Sequence, residues 1–146
     1  MPSIATVRNM ISHVIDSLGG DSYDMRIDKN SWRFVQGSAR GWISIYEHSE
    51  NEEYSIIQVR FLIMRVPLQH ALAFYRRILS LNYDLFGHSS FALSDDNHVV
   101  LSSARIIRDL DISEIEDMVL RTSLLADRFD DQLLAEFGPE HSLWRQ

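Results

Sequence analysis

A chain of 146 residues with 45% hydrophobic content is long enough to bury one real core, so a single domain spanning residues 1–146 is expected. The formal net charge is −7 and the pI about 5.2. Lys29 is the single lysine and Arg76-Arg77 the only adjacent cations, which argues against a nucleic-acid partner because phosphate backbones need clustered bases. No cysteine is present, which excludes disulfides, thiolate metal sites and Cys nucleophiles together. The N-terminus lacks the apolar core of a signal peptide, and nowhere do about 18 apolar residues run uninterrupted, so a soluble cytoplasmic protein without a membrane association is expected.

Ser3 is placed to cap a first helix whose apolar stripe is Ile4, Val7, Ile11, Val14, Ile15 and Leu18, ending at Gly19-Gly20. Residues 20 to 30 read as a polar connection in which Tyr23, Met25 and Ile27 still pack. The period then changes from helical to alternating. Trp32 and Phe34 alternate with Arg33 and Val35 up to Gly37, and Arg40 to His48 alternates again after a Gly-Ser turn, which predicts a hairpin. A polar turn at 49–53 leads into Tyr54 to Val66, the most β-favouring segment. Ile57, Val59, Phe61 and Ile63 share one face of it, and Tyr54, Ile56, Leu62, Met64 and Val66 the other, as in a strand covered on both sides.

Pro67 suits the first turn of a second helix, with Leu68, Ala71, Leu72, Tyr75 and Leu79 as its inner stripe. That helix carries a second apolar stripe, Phe74, Ile78 and Leu81, which a monomer with one core does not need; these three are the expected dimer interface. A loop from Asn82 to Ser89 containing Phe86-Gly87 precedes a second hairpin, with strands around 91–93 and 99–101 and a polar turn at 94–97. The last long helix starts at Ser113, with Glu116 three residues on as a capping-box partner, and stops at Gly138-Pro139. Ile115, Met118, Val119, Thr122, Ala126, Phe129, Leu133 and Phe137 lie along one face of it. The order α-β-β-β-α-β-β-α predicts an α+β fold, an antiparallel sheet with flanking helices.

Catalytic chemistry is not spelled anywhere. None of the six histidines stands three to five residues from another, so a metal site is not expected, and no cofactor motif is present. Gly37-Ser38-Ala39-Arg40-Gly41 has neither nucleophile-elbow nor phosphate-loop spacing. Asp127, Asp130, Asp131 and Glu136 crowd the long helix, but seven acids against two bases between Ser113 and Phe137 read as a solvated face. Two apolar features stand outside the expected core. Leu120 and Leu124 lie at about 140° and 180° from Ile115 on the helical wheel. On the sheet, Trp42, Tyr46, Leu62 and Met64 can share one face. These six residues are the expected partner-binding set, because exposed apolar patches mark partners.

Trp32-x-Phe34, Gly37-Ser38-Ala39, Met64-x-Val66-Pro67, Tyr75-Arg76-x-x-Leu79-x-Leu81-Asn82, Phe86-Gly87, and Ala126-Asp127-x-x-Asp130-x-x-Leu133 through Phe137-Gly138 form an ordered series over residues 30–138 that resembles the YbjN family. That family is related in fold to the type III secretion chaperones, small acidic dimers that hold extended segments of a partner protein. The resemblance implies helices packed on an antiparallel sheet, a homodimer, and no catalytic residues. The expectation is therefore a dimeric protein-binding module, chaperone-like or regulatory, and not an enzyme. The alternative is a small-molecule-binding domain or enzyme with a pocket between sheet and long helix, lined by Trp32, Tyr54 and Asp127.

Overall fold

The computed structural model describes residues 2–85 and 87–141. Ile4–Ser17 forms helix α1 and Ser22–Met25 the single turn α2; strands follow at Arg26–Asp28 (β1), Ser31–Gln36 (β2), Ala39–Tyr46 (β3) and Ile56–Arg65 (β4). Ala71–Leu85 is helix α3, Ser90–Leu93 and His98–Ile106 are strands β5 and β6, and Ile112–Phe137 is the long helix α4. Short 3₁₀ turns occupy Glu52–Tyr54 and Pro139–His141. The six strands make one antiparallel sheet in the order β1-β2-β3-β4-β6-β5. The predicted α+β fold and its helix–strand order are those observed, with α2 and β1 as additions inside the polar connection.

Alternation along the strands decides where the core sits. Trp32 and Phe34 of β2 oppose Ile43 and Gly41 of β3, which oppose Val59 and Phe61 of β4, and Phe61 opposes Leu101 of β6. All of these are buried, and α1 and α4 cover this inner face with Val7, Ile11, Val14 and Ile15 from one helix and Ile115, Val119, Ala126, Phe129 and Leu133 from the other. Gly41 is where the sheet is tightest. A Cβ there would stand 1.9 Å from the Arg60 carbonyl oxygen and 2.8 Å from Phe61 Cα, so only glycine lets β3 and β4 approach.

Helix ends follow local hydrogen bonding. Ser3 Oγ accepts from Thr6 N–H at 3.1 Å and opens α1 as expected. At α4 the cap is Asp111, not Ser113: Asp111 Oδ1 accepts from Glu114 N–H at 2.8 Å, and the Ser113 hydroxyl donates to Asp111 at 2.7 Å. Asp111 and Glu114 repeat the cap spacing two residues earlier, and Glu114 is then drawn to Arg105 rather than back to the cap. The helix after Pro67 begins only at Ala71, behind His70 at φ 61°, and it runs on to Leu85 through part of the predicted loop; Phe86 of that loop lies outside the described residues.

Two expected faces are corrected. On α3, Phe74, Ile78 and Leu81 are buried, while Leu68, Leu72 and Leu79 are exposed. The predicted dimer stripe is thus core, and of the predicted inner stripe Leu68, Leu72 and Leu79 are outside while Ala71 and Tyr75 are half-buried, Tyr75 against Phe74. Both stripes are apolar, so period alone leaves the choice open; aromatic packing makes it, with Phe74 edge-on to Phe137 of α4 at 5.0 Å and Arg77 paired with Glu136 at 3.0 Å. Asn82 fastens the same helix to the sheet edge, its side chain bonding both the N–H and the carbonyl of Phe91. On β4, pairing steps from Leu62 opposite Val100 to Met64 opposite Val99, so Ile63 is the extra residue of a bulge. The bulge turns Met64 inward, fully buried, and removes it from the face that carries Trp42, Tyr46 and Leu62.

Candidate functional site

The helices pack on one face of the sheet, and among the described residues the outer face stands open. Cross-strand register sets its rows. Arg33, Trp42, Arg60 and Ser102 are neighbours across β2, β3, β4 and β6; Ser44, Gln58 and Ala104 form the next row, and Tyr46, Ile56 and Ile106 the one beyond. Trp42 and Leu62 are half-buried and Tyr46 is exposed. Together, Trp42 and Leu62 form the ridge between two shallow depressions of about 470 and 370 Å³, the first bordered by Val35 and Arg40 and the second by Val100, His98 and Asp96. A polar network fixes the ridge: the Arg60 guanidinium lies over the Trp42 ring at 5.2 Å and donates to the Tyr46 hydroxyl at 3.2 Å, and that hydroxyl donates to Gln58 at 3.1 Å.

The remaining expected residues are elsewhere. Leu124 is 69% exposed and Leu120 half-buried on the side of α4 turned from the sheet, so the six residues predicted as one partner-binding set divide between opposite sides of the domain, with Met64 in the core. A further apolar surface that the sequence reading assigned to the interior lies on α3, where Leu72, Tyr75, Leu79 and Tyr83 line a broad depression of about 740 Å³ together with Arg76. Leu72 and Leu79 are 83% and 66% exposed.

The expected alternative pocket does not assemble. Trp32 is fully buried beneath the Arg26 guanidinium at 5.1 Å. Asp127 accepts from the Ser38 hydroxyl at 2.5 Å and anchors the β2–β3 turn to α4. Tyr54 stands beyond the other end of β3, roughly 25 Å away at the usual rise of a strand. Among the described residues no group of three or more His, Asp or Glu side chains is arranged to hold a metal ion. No helix among them is long and apolar enough to cross a membrane.

Charge is divided between the two faces. Behind the sheet, arginines are paired with acids: Arg8 with Glu47, Arg77 with Glu136, Arg105 with Glu114 and Arg121 with Asp117. Glu47 is held below the ordinary 4.5 of a glutamate, chiefly by a hydrogen bond from Asn30 and then by Lys29 and Arg8. The outward positions of β2 to β6 hold no acid, and Arg33 and Arg60 stand there on either side of Trp42. Sequence reading found the arginines dispersed because 33, 40 and 60 are far apart along the chain. Their shared signal was phase: each occupies the polar phase of a strand whose other phase is apolar.

An open antiparallel sheet backed by α1 and α4, with α3 at its edge, is the fold of type III secretion chaperones. Similar solved structures include the ExsC–ExsE complex, with a TM-score of 0.67 at 14% identity over 92% of this chain and 97% of that one. The ExoU–SpcU heterodimer of the type III secretion system of Pseudomonas aeruginosa matches at 0.60 and 13% identity, covering 83% and 95%. The HopA1–SchA chaperone–effector complex matches at 0.55 and 8% identity, covering 86% and 96%. The profile of the CesT_Tir_1 family matches residues 40–137, and the chain belongs to that family. No curated protein matches the sequence significantly.

Proposed function

We propose that the protein is a chaperone-like protein-binding module that works as a homodimer, holds a segment of a partner protein on the outer face of its sheet, and catalyses no reaction. The observation that carries this reading is the open face itself, a whole side of a sheet on which Trp42, Tyr46 and Leu62 remain accessible. The family, and the likeness to solved complexes in which such chains are bound to other proteins, support it. The ordered motifs from Trp32 to Gly138 favour a YbjN-like member, and the cysteine-free composition a reducing, cytoplasmic setting.

Dimerisation is assigned to the outer stripe of α3, in place of the buried Phe74, Ile78 and Leu81. A two-fold contact pairs a patch with itself, and Leu72, Leu79 and Tyr83 form a patch of one chemistry along one helix. Leu79→Asp is expected to convert a dimer to a folded monomer by sedimentation, and a wild-type monomer at high micromolar concentration contradicts the assignment. The partner face is tested by capture from native cell extract. Trp42→Ala is expected to lose the captured partner at nearly unchanged melting temperature, whereas Leu124→Ala keeps it. Capture unaltered by Trp42→Ala contradicts the reading.

A further inference from the structure

We infer that the outer sheet face selects an acidic segment: a stretch of partner protein carrying Asp or Glu beside an aromatic or large aliphatic residue. The inference rests on the proposed partner face and names the chemistry of its occupant. Charge complementarity carries it. The chain is −7 overall, yet Arg33 and Arg60 stand in the central row of this face, and no acid occupies an outward position of β2 to β6. Two carboxylates stand at its corners, Asp96 in the β5–β6 turn and Asp28 opposite Ser31.

Arg60 is the clearest case. Its neighbours on the face are neutral, the Trp42 ring and the Tyr46 hydroxyl, and they hold the guanidinium in place without neutralising it. Of the arginines away from this face, Arg8, Arg77, Arg105 and Arg121 lie instead against Glu or Asp. A guanidinium held in advance by packing loses little freedom when a carboxylate arrives, and its planar fork suits that group. Arg33 stands on the other side of Trp42, exposed, one strand away. Two cations therefore flank one aromatic ridge at a spacing of about 10 Å, twice the distance between neighbouring strands. An apolar side chain seated against Trp42 and Leu62 supplies contact area, and acids on either side of it reach Arg33 and Arg60. A second copy of this chain, offering its acidic α4, would make a head-to-tail contact without the self-pairing of a two-fold dimer, so it is the weaker occupant.

Two synthetic peptides test this, one alternating Glu and Leu around a single Trp, the other identical with Lys for Glu, each titrated into the full chain. The Glu peptide is expected to bind, to weaken as salt is raised, and to lose about tenfold in affinity with Arg33→Glu or Arg60→Gln. Both variants are surface changes, and a retained melting temperature certifies their fold. Equal binding of the Lys peptide, no binding of either, or indifference to Arg33→Glu overturns the inference. So does a single-stranded oligonucleotide that displaces the Glu peptide at lower concentration, which would make the face a polyanion site. Concentration-dependent growth of the chain alone, reversed by Arg33→Glu, assigns the face to self-association and also overturns it. Partner capture separates the two levels. Loss with Trp42→Ala but not with Arg33→Glu sinks acid selection and leaves the segment-holding function standing, whereas loss with neither sinks both.

Discussion

The two faces of one sheet are built from the same strands by alternation, and they have opposite chemistry. Along β3 the inner positions are Ala39, Gly41, Ile43 and Ile45, all buried, while the outer ones are Arg40, Trp42, Ser44 and Tyr46. The inner positions of β3 carry no charge and are closed in by α1 and α4. The outer face has arginine, tryptophan and tyrosine in contact with one another, with no described helix over them. Folding explains the first face, since each buried Val, Ile or Phe contributes roughly 1.5–3 kcal/mol. It does not explain the second, where exposed aromatic area next to held cations stabilises the isolated chain little.

Substitutions at facing positions sharpen this contrast. Phe61→Ala empties a fully buried site that packs edge-on to Phe34 at 6.4 Å, and is expected to cost about 3–5 kcal/mol by denaturant unfolding. Gly41→Ala adds one methyl where the Arg60 carbonyl leaves no room, so β3 and β4 must part; about 1–3 kcal/mol of lost stability is expected. Trp42→Ala, on the outer face between the same two strands, is expected to cost only about 1 kcal/mol. A loss as large as that of Phe61→Ala would make Trp42 core and erase the distinction between the faces.

The smallest effect concerns the charge cluster on the helix side. Because the Glu47 carboxyl is held below its ordinary 4.5, its contribution is complete above that pH and is lost as pH falls through the depressed value. The melting temperature of Glu47→Gln is therefore expected to lie below wild type at neutral pH, with the gap closing in acid. A gap that persists unchanged in acid would show that Asn30, Lys29 and Arg8 do not act through the carboxylate charge.

Much of the architecture was legible from periodicity. The stripe from Ile4 to Leu18, the pair Trp32 and Phe34, and the set Ile57, Val59, Phe61 and Ile63 each share a face that is buried, Leu18 only in part, but β4, expected to be covered on both sides, leaves Ile56 39% exposed on its outer face. Failures occurred where period is silent. On α3 two stripes compete, and only the position of Phe137 and Phe91 tells which one faces inward. At Met64 a one-residue bulge reverses the alternation, and no residue type announces it. The edge strand β1 is three exposed residues, Arg26, Ile27 and Asp28, and has no pattern to detect. For the site, Trp42, Tyr46 and Leu62 were placed together correctly because they share a strand phase. Leu124 was grouped with them although helix and sheet expose their outer sides in opposite directions. The arginines were missed because a cross-strand row brings together residues 33, 42 and 60, which are remote along the chain.

The claim on which the account turns is that the outer sheet face, and not the outer side of α4, meets the partner. Carbene footprinting of the free and partner-bound chain measures this at the side chains themselves. Protection at Trp42, Tyr46 and Leu62, with Leu124 labelled equally in both states, is the predicted result. Protection at Leu124 and along α4, with Trp42 unchanged, would contradict it.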